Sequence, residues 1–387
     1  MSMRKVELAE RPGWRKTAQQ EGFAFHTLDG ERYWDERGYY QFSQAQVERD
    51  LQAPTEALHA MCLEAVGRIV DSEALMARLA IPPAFFDLVR QSWLAREPHL
   101  YGRFDFSYDG HGPAKLIEAN YDTPTSLYEA AAFQLIWLEE QIQRGVLPAQ
   151  ASQFNTLAED LVQAFAAQPG QGTFYFSTIS GSVEDRGTTD FLRKMAVHAG
   201  IHTRHIDLED IGLNGEGRFV DLEGRPIPRL FKLHAWEHIF HEDFGRAIPR
   251  CDTQFVEPPW KALISNKGIL PLLWEWYPGH PNLLPAFVDD NPSRPVPRGW
   301  VRKPYFSREG ANVDIRTGTG QRVFEDGPYD DAPYILQGFA PLPRFGDSYT
   351  LIGSWVVGDK AAGMGIREDD SLITKDSSRF VPHVVLG

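Results

Sequence analysis

The feature that most constrains the fold is a change of periodicity between residues 173 and 211. TFYFSTIS is an apolar run rich in aromatic and β-branched residues, which predicts a strand. GSVEDRGTTDFLRKMAVHAG follows with helical spacing and ends at Gly200, and IHTRHIDLEDI predicts a second strand. A strand, a helix and a strand in this order predict a β-α-β unit with a parallel pair, and such units bind ligands at the carboxyl ends of their strands.

Helical spacing dominates much of the remaining chain. Residues 127–168 predict two helices, 215–257 a hairpin with a connecting helix, and 258–288 a further helix. A proline-rich link at 292–299 leads to short strands. Residues 44–98 predict amphipathic helices whose apolar stripe belongs to the core, formed by Val47, Leu51, Leu58, Met61, Cys62 and Val66.

Composition excludes several classes of function. The 387 residues carry a formal net charge of −14, whereas duplex nucleic acid requires a dense cationic face, so we expect no nucleic-acid partner. No apolar run approaches the roughly 18 residues of a membrane span, and MSMRKVELAERPGW lacks the apolar core of a signal peptide. We therefore expect a cytoplasmic protein without a membrane partner. Cys62 and Cys251 lack ligand spacing, and His234, His238 and His241 lack the glutamate of HExxH, so neither a disulfide framework nor a catalytic zinc site is expected.

The first candidate site is a hairpin formed by HLYGRFDFSYDG and AKLIEAN, with Asp-Gly as its turn. Side chains at i and i+2 of a strand share a face, so Arg103 projects with Asp105, and Glu118 with Asn120. Two carboxylates and an amide oxygen suit a hard cation such as magnesium, with phosphate oxygens held by the arginine. A half-exposed hairpin with cross-strand ion pairs explains the same residues.

Two further regions combine cations with glycine. VRKPYFSREGANVDI places Lys303 on a strand before a glycine-centred turn at 306–312, and Lys267 lies upstream in SNKG. Lysines and the backbone amides of such a turn bind nucleotide phosphates, although most lysines are solvated surface residues. In GMGIREDDSLIT, Arg367 lies among three carboxylates, which a solvated charge cluster would also explain.

Six segments between residues 10 and 385 occur in a characteristic order: RFDF, IEANYDTPTS, EPPWKALISNKGILPLLW, VRKPYFSREGAN, LQGFAPLP and GIREDDSLI. Together they resemble the synthetase domain of the glutathionylspermidine synthase family, especially its short bacterial members described as acid–amine ligases. The resemblance implies a mixed α+β and α/β architecture: an ATP-grasp fold with a pre-ATP-grasp β-α-β substrate lobe and an N-terminal helical region. It also implies ATP and Mg²⁺ as cofactors.

The resemblance divides the chain into four parts. Residues 1–98 correspond to the N-terminal helical region, and 99–168 to the metal-binding hairpin and helices of the ATP-grasp core. Residues 169–257 correspond to the pre-ATP-grasp β-α-β lobe, and 258–387 to the nucleotide-binding part. Because an acyl phosphate must be kept from water, we expect a lid at about 303–330.

The resemblance also implies residue roles. Asp105, Glu118 and Asn120 match the family's magnesium ligands, while Arg103 and Arg367 match arginines at the transferred phosphate and the acyl phosphate. Positions matching nucleotide-binding residues are Lys267, Lys303, Ser307, Gly310, Ala311, Asn312, Gln337 and Leu372. Positions matching the substrate region are Thr123, Thr125, Ser126, Glu129, Glu184 and Asp185. Helix-capping and first-turn preferences explain several of this last set equally well.

The implied function is an ATP-dependent C–N ligase of the EC 6.3 type, which joins a small peptide or amino-acid carboxylate to an amine through an acyl phosphate. The alternative is a catalytically silent ATP-binding relative with a regulatory or scaffold role. Two departures concern the amine. Leu233 replaces a polar residue that contacts the amine, and Arg379 lies near an acidic position that faces the polyamine. Because an arginine there would repel a polycation, the sequence does not identify spermidine as the acceptor, and an amino acid or a less cationic amine stays open.

Overall fold

A computed structural model describes residues 3–28, 30–168, 170–330, 332–375 and 377–387. Within these residues the strands form sheets of six, five, four and three strands and two short ribbons. The strands are β1 (Arg4–Glu7), β2 (Thr27–Leu28), β3 (Glu31–Arg32), β4 (Gly38–Phe42), β5 (Tyr101–Ser107), β6 (Lys115–Asn120), β7 (Phe174–Thr178), β8 (Thr203–Asp207), β9 (Gly212–Leu213), β10 (Phe219–Val220), β11 (Arg229–Lys232), β12 (Gln254–Val256), β13 (Ala286–Asp289), β14 (Trp300–Pro304), β15 (Asp314–Arg316), β16 (Arg322–Phe324), β17 (Tyr334–Gly338), β18 (Arg344–Phe345), β19 (Ser348–Val357), β20 (Lys360–Asp369), β21 (Arg379–Val381) and β22 (His383–Val385).

Helices cover the sheets and connect them. The α-helices of the described residues are α1 (Trp14–Gln20), α2 (Gln44–Gln46), α3 (Ala53–Val70), α4 (Glu73–Arg78), α5 (Phe86–Leu94), α6 (Gln134–Gln143), α7 (Leu157–Ala167), α8 (Val183–His198), α9 (Trp236–Ile239) and α10 (Ile269–Trp276). Short π-helical turns span Val47–Gln52 and Glu129–Phe133, and 3₁₀ turns span Pro83–Phe85, Leu208–Asp210, Phe244–Arg250 and Pro259–Leu263. None of the described helices has the length and apolar character required to cross a bilayer.

The six-stranded sheet carries the predicted hairpin at its edge, in the order β21-β20-β19-β5-β6, with β18 paired to β19. Strands β5 and β6 are antiparallel, with Arg103 opposite Asn120 and Asp105 opposite Glu118. Directly opposed residues of an antiparallel pair share a face, so the predicted convergence of these four side chains is confirmed. The turn is longer than predicted, since residues 108–114 connect the strands.

The other face of this sheet packs against α3. Phe104 and Phe106 are fully buried in a core that includes the apolar side of α3, and Thr55 Oγ1 lies 2.7 Å from Ser354 Oγ of β19. The predicted apolar stripe of residues 44–98 is confirmed, because all six of its side chains are buried. Helix α3 therefore packs on the apolar face of the hairpin and does not cover its polar face.

The predicted β-α-β unit is also confirmed. Strands β7 and β8 are parallel and belong to a parallel sheet of order β12-β11-β7-β8. Ser182 is the N-cap of helix α8, and its hydroxyl accepts a hydrogen bond from the backbone N–H of Asp185 at 3.3 Å. Its apolar side packs on the sheet in a cluster that contains Phe174, Phe176, Phe191, Leu192, Met195 and Ala196.

A five-stranded antiparallel sheet, β13-β17-β14-β15-β16, carries the second set of candidate residues. Lys303 lies on β14 and Gln337 on β17, and Gln337 is directly opposite Val301. Since residues two apart on a strand share a face, Val301, Lys303 and Gln337 lie on the same side of this sheet. A small apolar cluster of Val301, Val313, Ile315 and Ile373 covers that side.

Two predictions of secondary structure are corrected. Residues 258–288 do not form one helix: α10 ends at Trp276, before the Pro-Gly pair of WYPGH, and β13 begins at Ala286. Proline and a glycine at φ +76 explain this end, because neither continues a helix. Residues 1–98 are not purely helical, since β4 pairs with β1 and, in parallel, with β22 from the other end of the chain.

Two buried ion pairs connect the parallel sheet to the polar hairpin. The Lys232 ammonium lies 2.5 Å from Asp122, whose other oxygen accepts the Trp236 backbone N–H at 2.7 Å. Lys261 and Glu257 form a second fully buried pair at 2.7 Å; Glu257 accepts the Tyr101 backbone N–H at the start of β5, and Lys261 donates to the Tyr101 carbonyl. Asp122 follows Asn120 by two residues, so this pairing sets the distance between the hairpin and the β-α-β unit.

Candidate active site

Two pockets meet at the polar face of the β5–β6 hairpin. The first lies between the hairpin and the five-stranded sheet and contains about 720 Å³ of empty space, its mouth included. The second, of about 1030 Å³, lies between the hairpin and the segments that follow β7 and β11 of the parallel sheet. Asp105, Glu118 and Gly310 line both pockets. Groups bound in the two pockets would therefore meet beside these two carboxylates.

The shared wall concentrates charge. Arg103 forms a forked contact with Asp105, at 2.6 Å from Nε to Oδ1 and 3.0 Å from Nη2 to Oδ2. Asn120 donates to both Asp105 and Glu118 at 3.2 Å, and Lys267 lies 3.2 Å from Glu118. Burial alone would raise the pKa of Glu118, but Lys267 and then Lys303 outweigh it and hold that pKa at about 2. Glu118 is therefore ionised at neutral pH.

These residues fit a hard divalent cation. Both carboxylates and the amide lie on one face, and oxygen ligands of this kind are those that Mg²⁺ binds. The amide orientation of Asn120 follows from its hydrogen bonds, and its two ends are nearly isosteric, so its oxygen can also face the carboxylates. The surplus of cations at this wall, Arg103, Lys267, Lys303 and Arg367, favours a polyanionic ligand such as a triphosphate.

The first pocket combines a polar floor with apolar sides. Lys303 donates to Gln337 Oε1 at 2.9 Å and to the Ile117 carbonyl at 3.1 Å, and Gln337 donates to the Leu116 carbonyl at 3.1 Å. Burial lowers the pKa of Lys303 to about 8, against the opposing effect of Glu118. The sides of the pocket are aliphatic or aromatic and include Val301, Val313, Ile315, Phe339, Leu351, Leu372 and Ile373. A flat apolar ring with a charged tail directed at the lysines matches this arrangement.

The turn at 306–312 separates the pockets. The Ser307 carbonyl accepts a hydrogen bond from the Lys267 ammonium. Gly310 has φ +75, and a Cβ there would lie 2.2 Å from Ile373 Cγ2, so the turn packs on residues 373–374 as only glycine allows. Ala311 is not among the residues lining either pocket. Asn312 also lies outside the linings and bonds to Asp330 at 2.9 Å and to the Tyr329 N–H, which anchors the turn.

The second pocket contains an arginine that sequence reasoning did not single out. Arg308 donates to the Thr123 hydroxyl at 2.6 Å and to Glu237 at 2.7 Å. The sequence feature that could have identified Arg308 is its position in the glycine-containing turn, directly after Ser307. Among the predicted residues, Arg103, Thr123, Thr125, Asp185 and Arg367 line this pocket. The structure thus brings the residues predicted to contact phosphate together with part of the predicted substrate set.

The rest of the predicted substrate set lies behind the wall of the second pocket. Ser126 and Glu129 are buried, and neither they nor Glu184 line the pocket. The Tyr33 hydroxyl donates to Glu129 at 2.6 Å and lies 3.1 Å from Glu184. Burial, with a contribution from Glu184, raises the pKa of Glu129 to about 8.

A family model described as glutathionylspermidine synthase preATP-grasp matches residues 5–386. The chain belongs to this family. A Haemophilus influenzae protein named "Putative acid--amine ligase" is 40% identical over 388 residues, which cover 96% of this chain and 97% of that protein. The bifunctional glutathionylspermidine synthetase/amidase of Escherichia coli K12 is 27% identical, and the matched region covers 90% of this chain and 59% of that enzyme.

Two other relatives extend the comparison. Trypanothione synthetase of Crithidia fasciculata is 28% identical over 84% of this chain and 53% of that enzyme. The chain thus spans slightly more than half of each of these two larger synthetases. A structure of a glutathione synthetase-like effector from Globodera pallida covers 98% of both chains with a TM-score of 0.50 and 12% identity, which shows a shared fold.

Leu233 and Arg379, the two departures from this family's pattern, lie in different surroundings in the structure. Leu233 lines the second pocket, beside Ile179 and Ala235, so part of that pocket is apolar. Arg379 lies outside the lining of both pockets and bonds to Ser348 and Asp370 at 2.8 Å each. The argument that Arg379 repels a polycation is therefore not supported, because Asp370 balances its charge away from the site.

Proposed function

We propose that this chain is an ATP-dependent carboxylate–amine ligase that forms an amide through an acyl phosphate. One observation carries the proposal: a pocket with apolar sides and two lysines, and a second pocket lined by three arginines, share the wall formed by Asp105 and Glu118. The family's named relatives include synthetases and an acid–amine ligase, which supports this reaction class.

The first pocket binds the nucleotide in this proposal. The adenine lies between the aliphatic sides of the pocket, with Gln337 at its floor, and the phosphates extend toward Lys267, Lys303 and the turn at Ser307–Gly310. Asp105, Glu118 and Asn120 would hold Mg²⁺, which when bound supplies charge neutralisation at the phosphates. The segment at about 303–330 is the proposed lid, because its turn contacts both pockets.

The first step is phosphoryl transfer. A substrate carboxylate oxygen attacks the γ-phosphorus, the bond to the bridging oxygen breaks, and ADP leaves. Arg103 and Arg367 line the second pocket, at the side from which the carboxylate approaches. Their positive charge neutralises the carboxylate and the phosphoryl group as they come together, and Arg308 holds the rest of an anionic substrate.

The second step forms the amide. The amine nitrogen attacks the acyl carbon, the bond to the phosphate oxygen breaks, and inorganic phosphate and one proton are released. Asp185 lines the same pocket and is the proposed contact for a cationic part of the amine. Leu233 and Ile179 add apolar surface beside it. The proposed acceptor is therefore an amine with one charged end and an apolar portion, or an amino acid.

Release of phosphate from MgATP tests the function. The full chain is incubated with small peptides and amino acids, each combined with monoamines, diamines or amino acids, and phosphate and amide product are measured together. We expect at least one pair to raise phosphate release in a ratio of one amide per ADP. Intact ATP binding with no stimulation by any pair, and no amide product, would instead favour the silent nucleotide-binding relative.

Replacement of Lys303 by methionine tests the nucleotide pocket. Because a charge-assisted contact contributes about 1.5–3 kcal/mol, Lys303→Met should weaken ATP binding roughly 10- to 100-fold, measured by calorimetry. The free lysine loses its proton above its pKa of about 8, so ATP affinity of the wild type should fall as the pH rises from 7 to 9. The variant should lack this fall.

The neighbouring Arg302 supplies the matched control. Its side chain points to the other side of β14 and pairs with Asp289 at 2.6 Å, outside the first pocket. Arg302→Lys should leave ATP affinity unchanged at each pH. Equal losses in the two variants would mean that Lys303 acts on the stability of the sheet and not on the nucleotide.

A further inference from the structure

Three side chains outside the proposed ligase chemistry meet near the start of strand β5. His59 lies on α3, His99 lies two residues before β5, and Asp359 lies in the turn between β19 and β20. The Nε2 atoms of His59 and His99 lie 3.0 Å and 3.3 Å from the same oxygen, Asp359 Oδ1. The three potential ligand atoms all lie within 4.8 Å of one another. Elements distant in sequence thus direct two imidazoles and a carboxylate at one point.

We propose that His59, His99 and Asp359 form a binding site for a divalent first-row transition ion, with Zn²⁺ as the probe. Two histidines and one carboxylate are a recurrent ligand set for such ions, with water completing the coordination. Ligands bound to zinc at about 2.0–2.2 Å are roughly 3.3–3.6 Å from one another in a tetrahedron. The observed separations from Asp359 to the two imidazoles are close to that spacing.

Two of the three ligands have the support or access that a metal site requires. The other ring nitrogen of His59 lies 2.9 Å from the Tyr121 hydroxyl, which orients the imidazole in the way that outer partners orient metal-binding histidines. His59 is buried, whereas the Asp359 side chain is 74% exposed and leaves an entry path from solvent. A bound ion would join α3, the start of β5 and the β19–β20 turn. It would therefore stiffen the strand that carries Arg103.

Binding of Zn²⁺ and Co²⁺ to the tag-free full chain tests the site. Saturating Mg²⁺ is present throughout, so that Asp105 and Glu118 do not compete for the probe. We expect one Zn²⁺ per chain by equilibrium dialysis, and a Co²⁺ visible spectrum of low-symmetry coordination. Asp359→Asn keeps the shape of the exposed turn and should weaken the affinity for Zn²⁺ and for Co²⁺ at least about 100-fold. Loss of a residue that only hydrogen-bonds to a metal ligand already costs 10- to 100-fold in metal affinity.

Two further variants separate the proposal from a hydrogen-bonded cluster without a metal. His99→Gln should lose the Co²⁺ spectrum as Asp359→Asn does, while Asp347→Asn, in the exposed β18–β19 turn, should retain it. Zn²⁺ should raise the thermal midpoint of the wild type and of Asp347→Asn but not of Asp359→Asn. Failure of the wild type to bind either ion, or equal affinity in Asp359→Asn, would overturn the proposal.

Discussion

Glu118→Gln should lower the rate of ADP and amide formation by about 10²–10³-fold, the loss found when one electrostatic contact to a transition state is removed. The substitution keeps the size of the side chain but removes the charge that Lys267 and Lys303 surround. Because this charge is needed most where the phosphoryl group moves, ATP affinity should change less than tenfold. We therefore expect kcat to fall more than the affinity for ATP. Steady-state rates and calorimetry of ATP binding give the two quantities.

An exposed glutamate provides the comparison. Glu139 lies on the solvent side of α6, and Glu139→Gln should retain full activity. Asp105→Asn should resemble Glu118→Gln, since the two carboxylates face one another across β5 and β6. If either carboxylate variant kept nearly all of its activity, the hairpin would be an ordinary pair of strands with ion pairs, and the proposed reaction centre would be wrong.

Asp122→Ala should produce the largest loss of stability among single substitutions near the site. It leaves the Lys232 ammonium buried without its partner and the Trp236 N–H without its acceptor. Breaking a buried pair from one side costs about 3–5 kcal/mol, because an uncompensated charge remains in a medium of low polarity. The thermal midpoint should therefore fall by about 4–6 °C.

The double variant Asp122→Ala/Lys232→Met shows whether charge is the cause. With both charges absent, the midpoint should recover part of the loss, since an apolar replacement of a buried pair is often tolerated. Asp347→Ala, which breaks the exposed pair with Arg344, should leave the midpoint unchanged. A double variant no more stable than Asp122→Ala would show that packing, and not the ion pair, dominates at this position.

Local patterns in the sequence predicted more of the fold than of the site. The alternation in RFDF and IEAN was sufficient for the hairpin and its polar face, because side chains two apart on a strand necessarily share a face. Long-range pairing was not predictable in this way. The strand at Gly38–Phe42 pairs with one at the other end of the chain, and a five-residue segment carries no local information about such a partner.

The site residues show the same difference between what local sequence predicts and what long-range packing decides. Sequence placed Glu129 and Glu184 with the substrate, yet both lie behind the pocket wall with Tyr33, while Arg308 enters the pocket. Arg379 was expected near the amine and instead bonds to Asp370. In each case the direction of a side chain depends on what packs against it, which the local sequence does not contain.

By itself, the sequence determined the β-α-β unit, the polar hairpin, the apolar stripe of α3 and the family, because each of these is encoded in short-range periodicity or in ordered motifs. Only the tertiary structure decided that Lys303 and Gln337 face Glu118, that the turn holding Arg308 separates two pockets, and that Asp359 meets two histidines. Such distances depend on how separate sheets pack together. Packing is a property of the assembled core, which no single segment contains.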